Sequence, residues 1–521
     1  MTYSSAQMPI TLASAPGKVL VAGGYLVLDR KHSGLVVGTD ACLYAAVQTQ
    51  ALTLALPSSG STSGAATQEP LGPRSLAIRV ESPQFKAAWW EYVFDCELDA
   101  LKQHASADNG TNGFVQVVLG AVLGLVNQLA PAKINELLQA PAEAGRSGLK
   151  IVLSADNDFY SQRATLEAMG LPLTSEALRQ LPRMCETGTT LGAVHKTGLG
   201  SSAAMVTSLV AAILAHFGLV GHAELQPEAA GTAEGKRCRQ LIHNVAQFTH
   251  CLAQGKVGSG FDVSAAVYGS HVYRRFSPAV LSAIMADQGS AAEIARAVSP
   301  ENPAWDSDVA PVAVPPRFVL RLADVDAGSS TPSMVKQVLQ WQKNCPQDAA
   351  ALWSALDDAN TRIRQLWDQL VAAERADAAA YNHAVDWCAV HSAGEWSAAP
   401  DLATSETHRL LAELVKATLR MRALQREMGD RSQVPIEPPK QTCLLDACMQ
   451  VPGVCMAAVP GAGGYDAIFC VALDRAASDA VARLWSSWSE MSVGPLLANQ
   501  ASSGVRLLDT QAYPEIIARL R

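Results

Sequence analysis

Lys196-Thr197-Gly198-Leu199-Gly200-Ser201-Ser202-Ala203-Ala204 places a cation, two glycines and two serine hydroxyls in one short stretch. The glycines let backbone pass close to an anion, and the hydroxyls offer donors or a metal ligand. The alanines open an apolar run, Met205 to Phe217, with helical spacing. A turn that feeds a helix N-terminus gathers unpaired N–H groups at the positive end of the helix dipole. This is phosphate-binding chemistry. It is not a Walker A loop, whose lysine follows the last glycine; here Lys196 comes first.

Three further loops carry chemistry-bearing residues. Ala15-Pro16-Gly17-Lys18-Val19-Leu20 holds a lysine on a Pro-Gly turn between apolar residues. Gly258-Ser259-Gly260-Phe261-Asp262 is a second glycine turn, opening a small-residue helix with an acid in its first turn. Gly461-Ala462-Gly463-Gly464-Tyr465-Asp466-Ala467 is a third, set between two strand-like runs. Each has a plain structural reading: a solvated lysine, a dipole-capping acid, a turn shaped by Tyr465 and Asp466. Together, the four loops ask for one explanation.

The elements that must position them are legible in outline. Thr11–Leu28 and Leu35–Leu56 read as an N-terminal sheet, Leu149–Leu153 as a short strand, and Pro57–Pro73 as a polar loop. Glu234–Gln254 reads as a helix capped by Gly255. The proline-rich stretch 277–316 reads as an inter-domain region, dividing the chain into 1–276 and 317–521. Beyond it come a strand at Phe318–Leu322 and helices at Gln347–Val371 and Thr407–Met428, the second ended by Gly429. A strand–turn–strand unit spans Met456–Val471.

Composition limits the possibilities. The chain has 521 residues, 49% hydrophobic and 17% charged, which favours two domains over one. A net charge of -8 argues against a nucleic-acid partner or a membrane-surface role, so an anionic substrate must be held by local cations and N–H groups. Eleven scattered cysteines form no metal spacing; Cys443, Cys448 and Cys455 read as buried thiols in a reducing compartment. Phe114–Leu129 and Met205–Val220 are shorter than a membrane span and read as core helices. The first residues lack the pattern of a secretory signal, and Ala518-Arg519-Leu520-Arg521 is no peroxisomal tripeptide, so a cytoplasmic location is expected.

Three glycine loops and a turn-borne lysine in this order resemble the GHMP kinase superfamily, which includes galactokinases and homoserine, mevalonate and phosphomevalonate kinases. Within it the chain is similar to the fungal-type phosphomevalonate kinase family. The stretches that carry this are Ala13–Asp29, Ala155–Ser161, Gln254–Asp262, Asp324–Val335 with Gly328-Ser329-Ser330-Thr331-Pro332, and Pro435–Thr442. Mevalonate kinases have a Gly-Glu-His turn where this chain reads Gly24-Tyr25. The alternatives are another superfamily kinase or a non-catalytic relative that senses a metabolite.

The resemblance implies an α+β fold of two domains: an N-terminal ribosomal-S5-like α/β domain and a C-terminal ferredoxin-like domain, with the site between them. It implies that Lys196, Gly198, Leu199, Gly200, Ser201, Ser202 and Ala203, with Asn157, contact ATP. Asn157 otherwise reads as a turn residue after the strand at Ile151–Leu153. Ser202 would ligate Mg2+, and Lys18 and Asp262 would act at the reacting oxygens. Lys18, Ser259, Gly260, Gly463, Gly464 and Tyr465 would meet the acceptor, phosphomevalonate. No nucleic-acid or membrane partner is implied, and the chain would be a monomer or homodimer. One departure concerns the metal: mevalonate kinases carry a metal-binding Glu on the helix where this chain has Gln247 and His250.

Overall fold

β1 (Ile10–Ala22) and β2 (Ser33–Leu52) are the two longest strands, rich in Val, Leu and Ala and buried along most of their length. Side chains covered on both faces need a layer on each side. The two strands pair antiparallel from Ile10↔Gln48 to Ala22↔Leu35. The computed structural model that reveals this describes residues 9–54, 72–107, 110–139, 146–286, 289–325, 331–396 and 404–520. Most of the Pro57–Pro73 loop and all of Gly328-Ser329-Ser330 lie outside the described residues.

The first sheet continues through β3 (Ser75–Glu81), β4 (Trp89–Asp95), β5 (Ala100–Ser106) and β6 (Arg146–Ala155), in the order β1-β2-β6-β3-β4-β5. Only β3 and β6 run parallel among these pairs. Helices Gly113–Leu129, Ser201–His216, Ala233–Gln254 and Phe261–Tyr268 pack against one another, and two of them cover β1 and β2. Both apolar windows are thus core helices. Among the described residues no single helix is long and apolar enough to cross a membrane.

The stretch 277–316 departs from expectation. It contains helices Ala279–Ala286 and Ala291–Val298, and β8 (Asp308–Pro311) pairs with β7 (His271–Arg274), which in turn pairs with β2. Proline is tolerated at sheet edges and at element starts, because a missing N–H costs nothing there. Pro311 ends that edge strand and Pro278 precedes the first of these helices, while Pro300, Pro303, Pro315 and Pro316 lie in the connections between elements.

A second sheet of four antiparallel strands has the order β10-β11-β9-β12, built from β9 (Val319–Val325), β10 (Val454–Ala458), β11 (Ala467–Ala472) and β12 (Val493–Pro495). Long helices Pro346–Ala376 and Glu406–Ser432 pack together, and fully buried Trp367, Trp396 and Trp485 fill this part of the core. The chain then turns back. β13 (Gln500–Ala501) and β14 (Arg506–Leu507) pair with β2 and β1, and Ile516, Ile517 and Leu520 pack on Leu12 and Tyr44 of the first sheet. The final residues therefore belong structurally to the first sheet, not to the second unit expected over 317–521. Cys448 and Cys455 are buried, whereas Cys443 is exposed.

Candidate active site

Lys18 owes its direction to a break in register. The β1–β2 ladder shifts between Pro16 and Lys18, a bulge at Gly17. A Cβ at Gly17 would stand 2.8 Å from Thr39 Oγ1 and 3.3 Å from Leu199 Cβ, so only glycine allows the close approach. The bulge sets Lys18 against the glycine turn. Its backbone N–H donates to Leu199 O at 3.0 Å, and its ammonium donates to Gly198 O at 2.7 Å. Gly200, with φ 84°, begins the Ser201–His216 helix, and a Cβ there would lie 3.0 Å from Lys18 Cε.

The ammonium is crowded by protein but opens onto a cavity. It lies 5.5 Å from the Phe261 ring centre. Loss of water pushes its pKa down, while the carboxylates of Asp262 and Asp466 pull it back up. Asp262 sits in the first turn of the Phe261–Tyr268 helix, after Gly260 at φ 80°. Its Oδ1 accepts from Val263 N at 3.0 Å. Asp262 acts on the Lys18 ammonium through its charge, without direct ion-pair contact and from outside the cavity lining; the lysine rests on Gly198 instead.

Ser202 and Asp262 are linked through one imidazole. His250 Nε2 is 3.1 Å from Ser202 Oγ and 4.0 Å from Asp262 Oδ2. Burial pushes the His250 pKa down and Asp262 opposes it. Gln247, on the same helix, donates from Nε2 to Gly260 O at 2.7 Å, fixing the turn that carries Asp262. A hydroxyl and a carboxylate are hard oxygen donors of the kind Mg2+ prefers, and Mg2+ normally completes its shell with water and phosphate oxygens. The donor set fits. Among the described residues no cluster of three or more His, Cys, Asp or Glu forms a protein-only metal cage.

The cavity beside Lys18 measures about 180 Å3 and joins both sheets. Gly198, Ser259 and Phe261 line it from one side, and Gly461, Gly463 and Asp466 from the other. Tyr25 OH donates to Ala462 O at 2.8 Å across this junction. Gly464 and Tyr465 stand behind the lining; Gly464 N donates to Ile436 O at 2.8 Å.

Neither Lys196 nor Asn157 belongs to the lining of the Lys18 cavity. Lys196 is exposed. The Asn157 amide donates to Pro182 O at 2.6 Å and accepts from Cys185 N at 2.8 Å, pinning the excursion between β6 and the glycine turn. Its side chain is committed to that loop, as the turn reading allows. Sequence reasoning passed over Tyr25, Phe261 and Asp466 as site residues. Phe261 and Asp466 lie within glycine loops and Tyr25 follows Gly23-Gly24, so the glycine turns themselves were the available signal.

Comparison with known proteins agrees with this geometry. Residues 407–489 match the family model described as GHMP kinases C terminal. A phosphomevalonate kinase of Arabidopsis thaliana, named as peroxisomal, is 38% identical, with 95% of each chain covered. One from Aspergillus fumigatus is 35% identical, again over 95% of each. Among solved structures, a Listeria innocua protein covers 96% of this chain and 100% of its own with TM-score 0.59 at 12% identity. A Streptococcus pneumoniae phosphomevalonate kinase in complex with phosphomevalonate and AMPPNP covers 94% of this chain and 99% of its own, with TM-score 0.53 at 12% identity. These two show the fold, that of the two-domain α+β GHMP kinases. The chain belongs to the phosphomevalonate kinase family of that superfamily.

Proposed function

We propose that the chain transfers the γ-phosphoryl group of ATP to (R)-5-phosphomevalonate, releasing ADP and (R)-5-diphosphomevalonate for isoprenoid and sterol synthesis. The observation that carries this is Lys18, set on Gly198 O at the edge of the cavity and within the field of the Asp262 carboxylate, in a chain 35–38% identical to curated phosphomevalonate kinases.

The acceptor is a phosphate monoester with a second pKa near ~6, so it is largely dianionic at neutral pH. Removing a proton is a small part of the barrier. Bringing two polyanions together is the larger part, at about 4 kcal/mol per unit charge pair at ~4 Å and an effective dielectric of ~20. Lys18 is the cation placed to offset it. The ammonium rests on Gly198 O with donors to spare, beside the N-terminus of the Ser201–His216 helix. The N–H groups of that helix's first turn, with Ser201 and Ser202, support the donor phosphates. Asp262 opposes the loss of water that pushes the Lys18 pKa down, and takes any residual proton. Mg2+, held by Ser202 and Asp262, would supply further charge neutralisation and alignment of the phosphates. Ser259, Gly260 and Gly463 support the acceptor side.

The reading includes small-molecule substrates only, a monomer or homodimer, and a cytoplasmic location; the Arabidopsis relative's peroxisomal name makes location a matter for imaging. An ADP-release assay with phosphomevalonate, mevalonate, galactose and homoserine tests the reaction. Turnover confined to phosphomevalonate is expected. Turnover of another acceptor in its place, or none, overturns the reading.

A further inference from the structure

The turn facing Lys18 cannot set its own shape. Gly461, Gly463 and Gly464 have φ of 64°, 72° and 91°, and glycine loses more freedom on ordering than any other residue. Its conformation must be imposed by neighbours. From the first sheet, Leu20 O accepts from Gly461 N at 3.4 Å, and Tyr25 bonds Ala462 O. From the opposite side comes the segment 434–441. Ile436 O takes the Gly464 N–H, and the buried Gln441 Nε2 donates to Gly464 O at 2.9 Å. A Cβ at Gly463 would lie 2.2 Å from Ile436 O, so the turn rests backbone against backbone on this segment.

The segment is itself anchored by one carboxylate. Glu437 is fully buried and accepts from Arg422 Nε at 3.1 Å and Nη2 at 2.8 Å, from Arg426 Nη1 at 2.6 Å and from Thr442 Oγ1 at 3.1 Å. Arg422, equally buried, also reaches Asp446 at 2.8 Å. Desolvating such a pair is costly, and well-packed apolar residues often stabilise a fold as well or better. Stability alone therefore does not account for it. What the cluster provides is a fixed place for Ile436 and Gln441.

We propose that Glu437, with Arg422 and Arg426, is a positioning device for the acceptor. Through Ile436 and Gln441 it holds the 461–464 turn as the cavity wall opposite Lys18, where the phosphate monoester binds. The proposal rests on the reaction inferred above.

Steady-state kinetics with ATP and phosphomevalonate varied separately test it, using Gln441→Met and Glu437→Gln. Losing the Gln441 hydrogen bond, about 1 kcal/mol, should raise KM for phosphomevalonate about fivefold. KM for ATP should stay within about twofold, and Glu437→Gln should shift the same constant in the same direction. A merely structural role would reduce the active fraction, lowering kcat with both KM values unchanged. That result, or a parallel rise in both KM values, overturns the proposal. If Glu437→Gln fails to fold, Gln441→Met decides alone. The unsubstituted chain is assayed alongside. Its failure to use phosphomevalonate overturns the reaction and this inference with it, whereas normal turnover without a selective shift overturns the inference only.

Discussion

Lys18 is placed where it is costly and useful at once. Its ammonium has lost water, its pKa is pushed down, and its hydrogen bond goes to a backbone carbonyl rather than to a carboxylate. The Asp262 and Asp466 carboxylates favour the ammonium against that loss, and an ammonium held under those terms stabilises an incoming anion more than it stabilises the fold. Lys18→Met should therefore abolish turnover, by about 10^3 or more if one charge pair of ~4 kcal/mol is lost. The same substitution should leave the melting temperature unchanged or raised. A falling melting temperature with appreciable turnover would show that the lysine serves the fold. Asp262 separates base from positioning chemistry. A proton acceptor predicts a loss in Asp262→Asn that shrinks as pH rises past ~6, where the acceptor phosphate is already ionised. The geometry, with one oxygen held by Val263 N and the other 4.0 Å from His250, favours a loss that is flat between pH 6 and 8. Rate profiles of the two proteins over that range decide it.

At the level of elements, the glycine turns do the placing, and they differ in how far they resist change. Gly461 has φ 64° and no atom within 4 Å of an added Cβ, so Gly461→Ala should cost only about 1 kcal/mol of backbone strain. Gly463 combines φ 72° with a backbone oxygen 2.2 Å from that Cβ. Gly463→Ala must displace the turn or Ile436, and it should lower stability by about 2 kcal/mol more than Gly461→Ala and impair turnover more deeply. Melting curves and acceptor kinetics of the pair check the ranking. These turns were legible in the sequence because positive φ and helix starts select for glycine locally. Gly429 shows the limit of that rule. It reads as a helix end, yet the helix runs on to Ser432 and stops at Gln433 in the left-handed conformation, φ 57°. Gly429 instead admits Val434 O, 2.7 Å from where its Cβ would be. Close approach and cap termination look identical in one dimension. The edge strand Asp308–Pro311 and the return of Gln500–Leu507 to the first sheet were not legible for a related reason: each depends on a partner strand far away in the chain. Asn157 likewise bonds Pro182 and Cys185, partners no local pattern announces.

Across the whole molecule, folding buries neutral imidazoles that water would charge. Burial pushes His216, His243 and His271 down to about 4 from an ordinary 6.5. His271 shows why the neutral form fits: Nδ1 donates to Gly269 O at 2.9 Å, leaving Nε2 to accept from Ser264 Oγ at 2.8 Å. A second proton would break that arrangement. Between pH 6.5 and 4 the unfolded chain holds protons at these three sites that the folded chain lacks, so stability falls as pH falls, by up to about 1.4 kcal/mol per pH unit for each. Asp158 works in the opposite sense. Its burial, where it accepts from Leu497 N and Ala498 N, raises its pKa to about 6 from 3.8, so the folded chain holds the extra proton there over roughly pH 4–6. One imidazole is thereby offset. At pH 5.5 these four groups together should take up a net of about two protons on unfolding, and His250, also pushed down by burial, adds to that number. Calorimetric unfolding in two buffers of different ionisation enthalpy measures this number directly. A value near zero would mean that the imidazoles are charged in the folded protein, which the His271 hydrogen bonds do not allow.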